Sequence, residues 1–161
     1  MTGESPAIRP ARPADAGAVG ALWETMAHEH HAYDDEVWAY AEDATAHWRD
    51  YFRRFVERPD TLALLAEAPA GDVVGFLLAE VRPEPRVFGK RDQGFIGDLA
   101  VHPDWRRRGV ASALVERAFD ELRRRGVHHV ILHVALDNEP AVAFYERNGM
   151  RRVMYRMYRR L

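Results

Sequence analysis

The segment Gly97-Asp98-Leu99-Ala100-Val101-His102-Pro103-Asp104-Trp105-Arg106-Arg107-Arg108-Gly109-Val110-Ala111-Ser112 constrains this chain more than any other. It reads as a buried strand, a short turn stopped by Pro103, and a glycine-bearing loop that runs straight into a helix. The first N–H groups of a helix have no intrahelical acceptor, and the helix dipole places partial positive charge beside them. With Arg106, Arg107 and Arg108 alongside, such a terminus suits phosphate. Gly109 lets the backbone approach an anion closely, and Ala111 keeps the next turn narrow. The stretch reads as a site for a pyrophosphate.

The rest of the chain must place that strand end against that helix start. Its 161 residues fit one domain, 1–161, large enough to bury a core. Ala7-Ile8-Arg9 opens the sheet at an edge, Pro10 and Pro13 force a turn, and Asp15 is placed to cap a helix. Val19, Leu22, Trp23 and Met26 then recur at helical spacing. A polar, aromatic-rich stretch follows over 28–38. A second helix is expected over 42–58, with Trp48, Tyr51, Phe52, Phe55 and Val56 as one apolar stripe, and Pro59 ends it.

Beyond Pro59 the pattern changes to strands. Residues 61–67 and 73–81 are apolar runs joined by the turn Pro69-Ala70-Gly71-Asp72, and 82–92 reads as a loop. Residues 94–102 form the strand that feeds the phosphate turn, and 110–125 a helix that Gly126 closes. A nearly continuous apolar strand spans 127–135, as expected when both of its faces are covered. Asn138 caps a short helix, Gly149 ends it, and 153–158 supplies a last strand. The order gives an α/β sheet with helices on both faces.

Composition narrows the chemistry. There are no cysteines, which excludes disulfides, zinc–thiolate sites and cysteine nucleophiles. The net charge of −2 argues against a general nucleic-acid binder. No apolar run reaches the roughly 18 residues a membrane span needs. Residues 1–11 show no apolar signal-peptide core, so a cytoplasmic location is expected. His28, His30 and His31, with Asp34 and Asp35, offer pairs at helical spacing, but nothing marks an enclosed site and no metal is expected.

Two of these stretches resemble a known family. Arg106-x-x-Gly109-x-Ala111, after a strand ending Leu99-Ala100-Val101-His102-Pro103, resembles the acyl-CoA-binding motif of the GNAT N-acetyltransferase superfamily. Further on, Asn138-Glu139-Pro140-Ala141-Val142-Ala143-Phe144-Tyr145-Glu146-Arg147-Asn148-Gly149-Met150 resembles that superfamily's second motif. The resemblance covers residues 60–158 well, and the first sixty only in general layout. It implies a largely antiparallel central sheet of six to seven strands with helices on both faces. It also implies an acetyl-CoA-dependent N-acetyltransferase, in which an acceptor amine attacks directly within a ternary complex.

The same resemblance distributes roles. Backbone groups of Leu99, Ala100 and Val101 pair with the cofactor's pantetheine arm, and an N–H there steadies an oxyanion. Arg106, Arg107, Arg108, Gly109, Val110, Ala111 and Ser112 hold its phosphates, mostly through main-chain N–H groups. Asn138 caps its helix and also reaches the pantetheine. Tyr145 stands where a hydroxyl protonates or orients the departing sulfur, and a phenol with pKa near 10 can serve a thiolate of about 8.5. An acceptor ammonium, with pKa near 10.4, must lose a proton before attack. Asp98 is the first candidate base, with Glu80 and His102 behind it.

The acidic, aromatic stretch holding Tyr33, Asp34, Asp35, Glu36 and Trp38 is expected over the acceptor pocket, with Glu80 beside it, to receive a cationic amine. The acceptor is a small molecule or a peptide amine, and the sequence does not choose between them. A non-catalytic acyl-CoA-binding module on the same fold is the alternative. A nucleic-acid binder using Arg123-Arg124-Arg125 lacks the aromatic stacking such proteins use. The resemblance also favours a homodimer. Tyr155, Met157 and Tyr158, or the Trp48 helix, are open to two readings, a dimer face or core.

Overall fold

The computed structural model describes residues 5–85, 87, 89 and 92–161. The loop expected over 82–92 therefore falls partly outside the described residues. Strand β1 (Ala7–Pro10) leads to helix α1 (Ala16–His31) and α2 (Ala44–Phe55). Three long strands follow, β2 (Thr61–Glu67), β3 (Val73–Pro83) and β4 (Asp92–Val101). Helix α3 (Val110–Arg124), strand β5 (Val130–Leu132) and helix α4 (Glu139–Arg147) complete the order.

The sheet runs β1-β2-β3-β4-β5, antiparallel throughout except for the parallel β4–β5 pair. Side chains alternate across a strand, and the alternation divides the core in two. Leu64, Leu77, Ala79 and Ile96 face α3, where Val110, Leu114, Val115, Ala118 and Leu122 repeat along one stripe. Leu65, Phe76 and Leu78 face α1 and α2, whose Val19, Leu22, Trp48, Phe52 and Phe55 cover them. Each fully buried side chain of this size stabilises the fold by roughly 1.5–3 kcal/mol. Trp23 stacks on Trp48 with centroids 5.4 Å apart, which ties α1 to α2 on that second face.

Several expectations change. Five strands are present among the described residues, not six to seven. Residues 153–158, expected as a last strand, carry no strand pairing, and Tyr155, Met157 and Tyr158 are exposed, which removes the core reading. The strand expected over 127–135 narrows to Val130–Leu132. Helix α1 runs on to His31, where the His30 Nδ1 bonds the Met26 carbonyl at 2.8 Å. Helix α2 is shorter than expected at both ends. Asp15 does stand at the start of α1, but its side chain makes no cap. The carboxylate instead takes both Nη groups of Arg9, at 2.9 and 3.0 Å, and the Arg12 amide at 2.7 Å.

Candidate active site

The site forms where β4 parts from β5. Their parallel ladder holds only at Gly94, Ile96 and the residue between, against Val130 to Leu132. Beyond Ile96, β4 stays paired to β3 but has no β5 partner. At the same point the β3–β4 register slips between Leu78 and Ala79, so that Gly97 has no partner of its own. A bulge of this kind bends a strand and re-aims its side chains. Past it, Leu99 and Val101 pack toward α3 while Ala100 packs toward α1 and α2. Asp98 shares the face of Ala100, as its alternation from the sequence requires.

The turn after β4 is built for close approach. Pro103 to Trp105 form one 3-10 turn, and the next four residues reverse the chain into α3. Gly109 takes φ +80°, and a side chain added there would meet no protein atom within 4 Å. Arg107 also lies in the left-handed region, at φ +59°, which costs a non-glycine residue about 1–2 kcal/mol. The first backbone bond of the helix runs from Ala113 N–H to the Gly109 carbonyl at 3.0 Å, so the amides of Val110, Ala111 and Ser112 precede it. Open space, free helix amides and flanking arginines fit a phosphate group.

The three arginines do not act alike. Arg106 turns back: its Nε donates to the Val101 carbonyl at 3.0 Å and its Nη2 to Glu29 on α1 at 2.7 Å. Arg108 lies over the Trp105 ring, 5.3 Å from its centroid. The Glu29 contact bridges 77 positions of sequence, and no local pattern announces it.

Asp98 on β4 and Tyr145 on α4 lie close enough for the Asp98 charge to act on the Tyr145 phenol. Burial alone pushes the Asp98 carboxyl up to about 6, and among the described residues no hydrogen bond or ion pair engages it. Burial, and then the Asp98 charge, push the Tyr145 hydroxyl up to about 12. The Tyr145 ring meets Phe144 edge-on at 5.1 Å on α4, and the Asn138 side chain caps that helix by accepting from the Ala141 amide at 3.2 Å. Tyr51 of α2, read from sequence only as part of an apolar stripe, belongs here too. Burial raises its phenol, and the charges of Asp98 and Glu80 add to that. A half-exposed tyrosine beside buried Trp48 and Phe52 is the signal that singles it out.

The weaker base candidates are engaged elsewhere. Glu80 is held by Arg58 at 3.0 Å and by Arg82 at 2.6 Å, and Arg82 lies 3.6 Å over the Phe95 ring. The exposed His102 accepts the Asp104 amide at 3.3 Å, closing the 3-10 turn. In the α1–α2 connector, Asp34 accepts the amides of Glu36 and Val37, and its carboxylate closes a turn. Tyr33 and Trp38 gather around His30, with centroids at 6.0 and 4.9 Å, and Tyr40 bonds His28. Tyr33, Asp34 and Trp38 thus cluster on the connector, while Glu80 lies with Tyr51 and Asp98. Among the described residues no three His, Asp or Glu side chains converge as metal ligands. No helix among them is long and apolar enough to cross a membrane.

Comparison with known proteins agrees with this architecture. A family model described as the acetyltransferase (GNAT) family matches residues 23–150. The chain belongs to the GNAT acetyltransferase family. It is 41% identical over 90 residues to mycothiol acetyltransferase of Saccharomonospora viridis, covering 55% of this chain and 29% of that protein. It is 37% identical over 68 residues to N-alpha-acetyltransferase 30 of Schizosaccharomyces pombe, covering 41% and 45%. The chain thus spans less than half the length of these curated relatives. The BH1408 protein of Bacillus halodurans shares the fold, with a TM-score of 0.88 at 21% identity over 96% of this chain and 99% of that one.

Proposed function

We propose that the protein is an N-acetyltransferase that moves an acetyl group from acetyl-CoA to a primary amine by direct attack in a ternary complex. The observation that carries this is the buried Asp98 carboxyl just past the point where β4 leaves β5, without a hydrogen-bond or ion-pair partner among the described residues and within electrostatic reach of the Tyr145 hydroxyl. Two titratable groups pushed apart in one cleft mark a base and an acid. A non-catalytic acyl-CoA module has no use for that pair.

The family uses acetyl-CoA, and the residues present fit it. The amides of Val110, Ala111 and Ser112, the open side of Gly109, and Arg107 and Arg108 are placed for the phosphates. The unpaired backbone of Leu99, Ala100 and Val101 is placed for the pantetheine amides, with Asn138 beside it. Acetyl-CoA supplies an activated carbonyl and a thiolate leaving group. Asp98, largely ionised at neutral pH, takes the proton that the acceptor ammonium must lose, directly or through a water. Tyr145 keeps its proton across the neutral range and can give it to sulfur. A β4 backbone N–H donates to the carbonyl oxygen where charge develops.

Tyr51 and Glu80 form the acceptor side on α2 and β3, and Tyr33, Asp34 and Trp38 its outer margin. The acceptor is a small-molecule or peptide amine, with no nucleic-acid or membrane partner and a cytoplasmic setting. The arginines at the end of α3 and just beyond it support the first exclusion: Arg123 and Arg124 pair with Asp120 and Glu121 at 2.7 Å, and Arg125 donates to the Thr61 carbonyl.

Isothermal titration with acetyl-CoA tests the reading. Wild-type protein is expected to bind, and an Arg106→Ala, Gly109→Glu double variant to lose binding. A screen of amines for acetyl-CoA-dependent thiol release then identifies the acceptor. A wild-type protein that does not bind acetyl-CoA overturns the assignment.

A further inference from the structure

Residues 151–161 follow α4 without regular structure and lie exposed along their whole length. They carry five arginines, Arg151, Arg152, Arg156, Arg159 and Arg160, and no acid. The α1–α2 connector, residues 32–43, carries five carboxylates and no lysine or arginine. The two oppositely charged segments meet. Arg160 Nη1 lies 2.9 Å from Glu36, and loss of solvent, followed by the charges of Glu36 and Asp34, holds the Tyr158 phenol above its ordinary range.

The tail is tied near both ends. Its root is tied to α4 by the Met150 amide on the Tyr145 carbonyl at 3.1 Å and by Arg152 on Glu146 at 2.8 Å. Its tip rests on the connector, which begins just beyond Glu29, the residue that pairs with Arg106 of the phosphate turn. The tail thus joins the helix that bears Tyr145 to the segment that leaves α1 beside the phosphate turn. Nothing apolar anchors its middle: Met154, Tyr155 and Met157 are 81–92% exposed. Asp34 is occupied by two backbone amides, so Glu36 is the carboxylate that takes the tail.

We infer that the C-terminal segment is a strap over the acceptor side of the site, and that it selects acceptors bearing a second cationic group, because such a group displaces Arg160 from Glu36. The selection rests on the acetyl-transfer reading; the strap does not. An exposed guanidinium–carboxylate pair is weak and screened by salt. A ligand ammonium of the same charge therefore competes with it on even terms, while an amine with an apolar tail gains nothing there. Arg160 is a specificity-determining residue, not a catalytic one.

The test uses the full chain with ¹³C-methyl methionine, read by NMR at Met154 and Met157, and two probes, 1,4-diaminobutane and butylamine. Glu36→Gln is expected to release the tail, narrowing both methyl signals without any amine. In wild type, diaminobutane narrows them and butylamine does not. With acetyl-CoA present, Arg160→Ala lowers KM for diaminobutane about two- to fivefold, the worth of an exposed ion pair, and leaves butylamine unchanged. Methyl signals that ignore both Glu36→Gln and diaminobutane overturn the proposal. So do signals whose width follows protein concentration, which would seat the tail on a second copy. Tail release in a protein that does not bind acetyl-CoA in titration keeps the strap and counts against the acetyl-transfer reading alone.

Discussion

Among the described residues no donor engages Asp98, and burial raises its carboxyl to about 6, so that it is largely ionised at neutral pH. The folded state therefore holds the proton more tightly than the unfolded chain, whose carboxyls titrate near 3.9. This contribution to stability is complete below that value and is lost as pH rises through 6. Asp98→Asn removes the penalty, and urea unfolding at pH 7 is expected to show a gain of up to about 3 kcal/mol. The same substitution removes the proton acceptor, so kcat/KM should fall by about a hundredfold or more, and the limb of the pH profile near 6 should disappear. A variant more stable and equally active would show that the carboxylate is not the base. Tyr145→Phe should also cost about a hundredfold in turnover, with the Kd for acetyl-CoA nearly unchanged. A large loss of affinity at normal turnover would make Tyr145 a binding residue only.

At the scale of elements, what the sequence discloses is what is local. Gly109 and Asn138 act through neighbours one to four positions away, and both stand where the pattern puts them. Asp15 does not cap, because Arg9 and the Arg12 amide offer its carboxylate stronger partners that the helix cannot match. The strand over 127–135 is apolar enough to pair throughout, yet β5 pairs over three residues because β4 bends away at Gly97. Hydrophobic pattern cannot report a divergence between two strands. The start of α3 carries a prediction of its own. Gly109→Ala meets no neighbouring atom but must hold φ +80°, so it should cost about 1–2 kcal/mol in urea unfolding and weaken acetyl-CoA binding in titration. Unchanged stability would mean that the loop adopts another backbone path.

Across the whole molecule, the contacts hidden from the sequence are those that join distant segments. Arg106 closes on Glu29 near the end of α1 and Arg160 on Glu36 in the connector beyond it, and nothing near either arginine announces it. Arg9 does the same for the fold, holding Asp15 at 2.9 Å and Glu67 at 2.6 Å and so fastening β1 to β2 and to the start of α1. The Arg9 hydrogen bond holds the Asp15 carboxyl below its ordinary range. Its contribution to stability is thus present above the unfolded carboxylate range and is lost as pH falls, opposite in sign to Asp98. Arg9→Ala should cost about 1 kcal/mol at pH 7 and much less near pH 2, where the carboxyls are protonated, a difference paired urea titrations can read. An equal cost at both values would assign Arg9 a packing role.

The three-residue ladder between β4 and β5 also means that the sheet is unfinished in its interior. Unpaired strands elsewhere invite other chains, and proteins usually guard them with charge or a covering segment. Here the two walls diverge, so a second flat strand cannot run between them, while a narrow chain carrying amide groups can. The bound donor would then act as a piece of sheet. In hydrogen exchange, the amides of Leu99, Ala100 and Val101 that point away from β3 should exchange quickly in the free protein and slow once acetyl-CoA is added. In such a protein, donor binding would complete the sheet that folding leaves open.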